Sequence, residues 1–220
     1  MAPVTEIVIH TLKPGTDVET FYKLFAVIKE HPGAQAVRIS TVHENPEQVD
    51  LFIDWDSIES HQALQAQTEA YNAFIDQVKP HVAKLATVVH AELTPFPPTV
   101  LDNVEGKGKS PVAQLLLTYF APDTDAAKIF TEGQRFVSKL AGASFAGLTG
   151  ESSLGWTVEK DVDFKGEKTR VLVIILGWES VQAHLEARET DAWKSIIGEF
   201  QGAAEGLKGF EVTHVSTRAI

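Results

Sequence analysis

Along the chain, short runs of β-branched and aliphatic residues alternate with longer stretches whose apolar positions recur every three or four residues. Val4 to Thr11 and Val112 to Phe120 are apolar runs of strand length. Each is followed by a Pro-containing turn and then by Asp17 or Asp125, placed as the N-cap of a helix. Helical spacing follows at Val18, Phe21, Phe25 and Ile28, and at Ile129, Phe130, Phe136, Val137 and Leu140. His31-Pro32-Gly33 and Ala141-Gly142 stop these helices. The pattern then predicts two strands in each half: Ala36 to His43 with Val49 to Trp55, and Ser144 to Thr149 with Thr169 to Trp178. Ser57 and Ser180 cap a second, divided helical region, and Thr87 to Leu93 and Phe210 to Thr217 supply a closing strand.

The order is β-α-β-β-α-β, twice, the ferredoxin-like pattern. The two halves repeat in sequence as well. Trp55-Asp56-Ser57-Ile58-Glu59-Ser60-His61 matches Trp178-Glu179-Ser180-Val181-Gln182-Ala183-His184, and Val88-Val89-His90 matches Val212-Thr213-His214. Pro14 aligns with Pro122 at a smaller offset, which places an insertion of about fifteen residues between Leu148 and Arg170. A longer hairpin or a lid around 150–168 is expected there. The units read as 1–95 and 111–220, joined by a linker at 96–110 rich in Pro, Gly and charge. Val171 to Leu176 is apolar at every position, so that strand is buried on both faces. The predicted fold is therefore α+β: two ferredoxin-like repeats whose antiparallel sheets pack into one pseudo-dimeric α/β barrel.

Composition narrows function. The 220 residues carry a formal charge of −11, which repels nucleic acid and anionic membrane surfaces, so neither is an expected partner. There is no cysteine, which removes thiolate nucleophiles, zinc–thiolate sites and disulfides together. The N-terminal residues have neither a basic start nor a long apolar run, and a cytoplasmic location is expected. Gly106-Lys107-Gly108-Lys109-Ser110 ends like a phosphate loop, but Asn103 stands where its first glycine belongs.

Histidine is the remaining source of chemistry near neutral pH. His61 lies three residues from both Ile58 and Leu64, and His184 three from Val181, so each imidazole sits on the apolar face of its helix. Each is either a general base opening onto a pocket or a structural donor to a backbone carbonyl. His90 and Glu92 share a strand face, where the carboxylate could orient the imidazole; His214 has Ser216 at that place. His10 is an isolated polar residue on an apolar strand face. Asp54, whose repeat equivalent is Gly177, is either a buried carboxylate with a raised pKa that could serve as a base or, with Asp50 and Asp56, part of a solvated edge. Trp55, Tyr71, Phe25, Trp178 and Trp193, with His214, are candidate walls of a pocket for a planar apolar ligand. No histidine pair stands at i, i+4, and no metal site is expected.

The repeated Trp-acid-Ser-x-x-x-His motif at a strand-to-helix junction resembles the antibiotic-biosynthesis monooxygenase and stress-responsive branch of the dimeric α/β-barrel superfamily. The resemblance covers nearly the whole chain twice, as a tandem fusion. It implies a split barrel of two four-stranded sheets, with a pocket in each half between sheet and helices. The superfamily includes cofactor-free oxygenases, polyketide cyclases, haem-degrading enzymes and proteins of no known activity. The cyclases resembling olivetolic acid cyclase carry a His-Pro-x-His sequence late in the second helical region, where this chain has Thr68-Glu69-Ala70-Tyr71 and Glu189-Thr190-Asp191-Ala192. The expectation is a cofactor-independent enzyme acting on a small apolar, aromatic or polyketide-derived metabolite by His-assisted proton transfer, with His61, His184, His10 and His90 as catalytic candidates. The pseudo-dimer would form within one chain, further homodimerisation being left open. The alternative is a non-enzymatic ligand-binding or stress-response barrel.

Overall fold

A computed structural model describes residues 2–84, 86–103 and 109–220. The first half contributes β1 (Val4–Thr11), α1 (Val18–Lys23), α2 (Ala26–Lys29), β2 (Ala34–Val42), β3 (Gln48–Trp55), α3 (Ile58–Ala66), α4 (Thr68–Val78) and β4 (Thr87–Ala91). The second contributes β5 (Val112–Phe120), α5 (Ala126–Ala143), β6 (Leu148–Trp156), β7 (Val162–Phe164), β8 (Glu167–Trp178), α6 (Val181–Glu189), α7 (Asp191–Ala203) and β9 (Leu207–Ala219). Asp17, Ser57, Asp125 and Ser180 each cap a helix through the side chain, as the sequence pattern predicts.

The strands run in the order β4-β1-β3-β2-β9-β5-β8-β6, with β7 paired on β8. Two seams join the halves. At one, β2 pairs antiparallel with β9 from Arg38↔Ala219 to Val42↔Val215. At the other, the chain leaving β4 bonds β6 through Glu92 N–H to Trp156 C=O (2.9 Å) and Thr94 N–H to Leu154 C=O (2.8 Å). The eight-strand path thus closes into a barrel. Gly155 is required at this second seam, since a Cβ there would stand 2.0 Å from the Glu92 carbonyl oxygen.

Strand periodicity distributes the apolar residues to two sides of this wall. Ile7, Phe52, Val89, Leu115, Val173 and Ile175 point inward and fill the barrel, as expected for eight strands. On the outside, α1 to α4 cover Val4, Val8, Leu51 and Trp55, while α5 to α7 cover Leu116, Leu172, Ile174 and Trp178. Val171 to Leu176 is buried throughout because it touches both layers. Val100 and Leu101, from the expected linker, are buried in the barrel cluster; residues 104–108 of that segment, including part of the phosphate-loop-like sequence, lie outside the described residues.

Three local expectations are corrected. The continuous helical spacing from Val18 to Ile28 is broken, because Leu24 and Phe25 bond three residues back, to Phe21 and Tyr22. The strand expected at Ser144 to Thr149 begins later, at Leu148, since Ser144 ends α5 in the left-handed region at φ 53°. Asp50 and Asp54 are not a solvated edge: both are fully buried inside the barrel, Asp54 bonded to Arg38 (2.7 Å) and to Thr5 (2.8 Å), Asp50 to Gln48 (2.9 Å).

Candidate functional site

The recurring Trp-acid-Ser-x-x-x-His motif is assembled alike in both halves. Trp55 and Trp178 end their strands fully buried, and His61 and His184 lie in the first turns of α3 and α6 against the indoles, at 5.2 and 5.0 Å between ring centres. Each indole N–H donates to the residue at the same place on the first strand: Trp55 to Glu6 (2.8 Å), Trp178 to Gln114 (2.9 Å).

Behind each of these histidines stands a second. His61 Nδ1 is 2.6 Å from His90 Nε2, and His184 Nδ1 is 2.7 Å from His214 Nε2. A carboxylate from the opposite half closes each chain. Glu159, just beyond β6, meets His90 Nδ1 at 2.6 Å and accepts the His90 backbone N–H at 2.9 Å. Glu44, just beyond β2, accepts from His214 Nδ1 and from its backbone N–H (2.9 Å). The residue before each glutamate bonds the seam: His43 N–H donates to His214 C=O (2.9 Å), Val158 N–H to His90 C=O (2.8 Å). The two arrangements are related by the pseudo-two-fold of the barrel.

The hydrogen-bond inventory fixes the direction of each chain for neutral rings. A carboxylate only accepts, so His214 Nδ1 donates to Glu44; His214 Nε2 then accepts from His184 Nδ1–H, and His184 Nε2 is left as a bare lone pair. His184 is 1% exposed and this Nε2 has no partner among the described residues. Burial, with help from His214 and Arg188, lowers its pKa to about 3, so the ring is neutral at physiological pH. Burial raises and the bonds from His214 lower the Glu44 carboxyl, which ends below the ordinary carboxylate range and is ionised.

The first half differs where it faces its helices. His61 Nε2 points at Glu6 Oε1, 3.6 Å away. Burial raises the Glu6 pKa against the bond from Trp55, and burial lowers that of His61 to about 4. Glu6, His61 and His90 form the metal-ligand-like cluster found among the described residues. The 2.6 Å between His61 and His90 is a hydrogen bond, however, whereas two imidazoles at about 2.0–2.1 Å from one tetrahedral zinc stand about 3.3 Å apart. The spacing is that of a hydrogen-bonded imidazole pair.

Each chain ends at a cavity between sheet and helices. The second-half cavity, about 290 Å³, is lined by His184, Gln114, Thr118 and Arg188 and by apolar residues that include Trp193 and Phe200. The first-half cavity, about 100 Å³, is lined by His61, Glu6, His10, Trp55, Tyr71 and Phe25 among others. The first is the smaller because His10 stands where the second half has Thr118, and Phe25 packs against His10 and Phe74. The structure thus brings His61, His10, Trp55, Tyr71 and Phe25 to one cavity and His184 and Trp193 to the other. Trp178, His90 and His214 line neither and stand behind the cavity walls. Among the described residues His10 has no partner on either ring nitrogen.

Two expectations about orientation are corrected. His61 and His184 hold a second imidazole through Nδ1 instead of a backbone carbonyl, and Glu92 is exposed and is not the partner of His90. Glu44, Glu159 and Gln114 have no periodic signal. The one available clue is an acid two or three positions beyond the second strand of each repeat.

No protein-family model and no curated protein matches the sequence. Solved structures do. An anthrone oxidase-like protein aligns with all of this chain and 94% of its own at TM-score 0.64 and 14% identity. Proteins provisionally assigned as monooxygenases from Lactobacillus acidophilus NCFM (TM-score 0.59, 14% identity, 100% of this chain and 99% of that one) and Fusobacterium nucleatum (0.57, 8%, 98% and 92%) align end to end as well. The chain shares their fold. Identities this low carry the architecture alone, and the chemistry has to be argued from the site.

Proposed function

We propose that the second-half cavity is the working site of a cofactor-independent enzyme acting on a small, apolar, aromatic or polyketide-derived molecule. The supporting observation is the bare Nε2 of His184, buried, without a partner among the described residues, and held by the His214–Glu44 chain at the wall of a cavity of about 290 Å³. His184 takes an acidic C–H or O–H proton from the substrate. The positive charge this creates is balanced by the Glu44 carboxylate two links away, and a substrate anion formed against the ring raises its pKa from the resting value. Gln114 holds its carbonyl oxygen on Trp178, which leaves its amide N–H₂ as a donor for the oxygen on which negative charge develops. The resulting carbanion or phenolate reacts with dioxygen directly, or cyclises or rearranges.

Anthrone, taken from the description of one structural neighbour, is a suitable probe because its methylene protons are acidic and its product is chromophoric. The wild type is expected to accelerate deuterium exchange at that carbon and oxygen uptake. His184→Gln should lose about 10²- to 10⁴-fold of this acceleration, the range of a general base, and His61→Gln should retain it. Equal rates in wild type and His184→Gln would remove His184 as the base. Saturable binding without exchange or oxygen uptake would point to the alternative, a ligand-binding barrel without turnover.

A further inference from the structure

The repeat supplies an internal control on charge. The second-half cavity has Arg188 among its lining residues and no acid, in a chain whose net charge is −11. The first-half cavity has the reverse: Glu6 lines it, and no lysine or arginine does. Each charged position has an uncharged glutamine in the other repeat, Glu6 aligning with Gln114 and Arg188 with Gln65. The cation is therefore not part of the machinery common to both halves.

Among the described residues Arg188 is also without a counter-ion. Arg38, Arg135 and Arg218 are paired with carboxylates, and Arg170 lies 4.4 Å over the Trp156 ring. The ion pairs and hydrogen bonds among the described residues leave Arg188 out. The acids beside it are engaged elsewhere, Glu186 accepting from Gln182 and Glu189 facing Lys194. Arg188 stands four residues after His184 on α6, hence on the same helix face, one turn nearer the solvent. A ligand that presents an acidic proton to His184 has room to present a second group to this guanidinium, whose planar fork suits a carboxylate.

We propose that the second-half cavity selects aromatic acids, Arg188 binding the carboxylate while the rings pack among Trp193, Phe200 and Phe136. This rests on the reading of that cavity as the working site, and a binding measurement separates the two. Calorimetric titration of the whole protein with 2-naphthoate and with the neutral, near-isosteric 2-naphthamide is the test. Naphthoate is expected to bind at least tenfold more tightly at low salt, with an advantage that shrinks as salt is added. In Arg188→Gln, at an exposed position that leaves the fold intact, the advantage should vanish while naphthamide binds as in the wild type. Leu116→Trp, which fills the cavity, should abolish both. If naphthamide binds in a Leu116→Trp-sensitive way and naphthoate is no better, or if Arg188→Gln keeps the preference, the charge inference falls and the cavity reading stands. If neither probe binds the wild type, both fall.

Discussion

His10 shows what burial without a partner does to a single residue. Among the described residues neither of its ring nitrogens has a partner, and burial alone takes its pKa from 6.5 to about 4. Above pH 6.5 the folded and unfolded chains both hold it neutral. Between pH 6.5 and 4 the unfolded chain binds a proton that the folded chain does not, so stability falls as the pH is lowered across that window. His10→Leu removes this contribution and leaves no unsatisfied polar atom. The variant should be at least as stable as the wild type at pH 7.5, and should gain on it by about 2 kcal/mol at pH 5.0, at about 1.4 kcal/mol per pH unit for one proton. Urea titrations of both proteins at the two pH values read this directly. A difference that does not change with pH would mean that His10 finds a partner in solution. Glu44 acts at the same scale but through two other residues, and is a positioning residue. Glu44→Gln should allow His184 to populate both tautomers, visible in nitrogen-15 spectra of the imidazoles, and lower turnover of the anthrone probe by about 10- to 100-fold, as when the orienting partner of a metal-binding imidazole is removed. Lower turnover with His184 unchanged in tautomer would assign Glu44 a purely structural role.

Among the elements, the inserted hairpin has two functions. The connection from β6 into it delivers Glu159 to His90, and its β7 strand sends Phe164 into the barrel, where the ring stacks on Tyr119 at 4.1 Å. Phe164→Ala should therefore cost about 3–5 kcal/mol in urea unfolding, the range for a core aromatic; a loss below about 1 kcal/mol would make the hairpin an appendage. Its existence was legible from the jump in repeat offset, and most strands were legible because period-2 alternation and unbroken apolar runs survive in the sequence. Less legible was what depends on contacts between distant elements. Phe25 continues the helical spacing of Val18 and Phe21, yet its backbone tightens and its ring turns toward His10 and Phe74. Asp54 looks like any acid near a strand end until β2 brings Arg38 beside it. The histidines of the site were visible as polar residues on apolar faces, whereas their glutamates were not, because each comes from a turn of the other repeat and only barrel closure makes them neighbours.

That exchange of glutamates bears on the molecule as a whole. Chains longer than about 150 residues often unfold through intermediates, and a tandem repeat invites the expectation that one half melts before the other. Several features oppose it here. The inward cluster draws on both halves, with Ile7, Phe52 and Val89 against Leu115, Val173 and Ile175, so loss of one half strips the other's inner sheet face. It would also unpair β2 and β4 or β9 and β6 along both seams, leaving rows of free backbone donors and acceptors. Finally, each His pair would lose its carboxylate while remaining buried in its own half. A half-folded state thus combines exposed apolar surface and strand edges with buried imidazoles that have lost their carboxylates, and it should not be populated. Incorporation of 5-fluorotryptophan provides the check, since Trp55 reports on the first half and Trp156, Trp178 and Trp193 on the second. All four fluorine resonances should lose their native intensity at one urea midpoint. A Trp55 signal that disappears before the other three would show two independently stable units, and the glutamate exchange would then be a contact between finished halves instead of a condition of their folding.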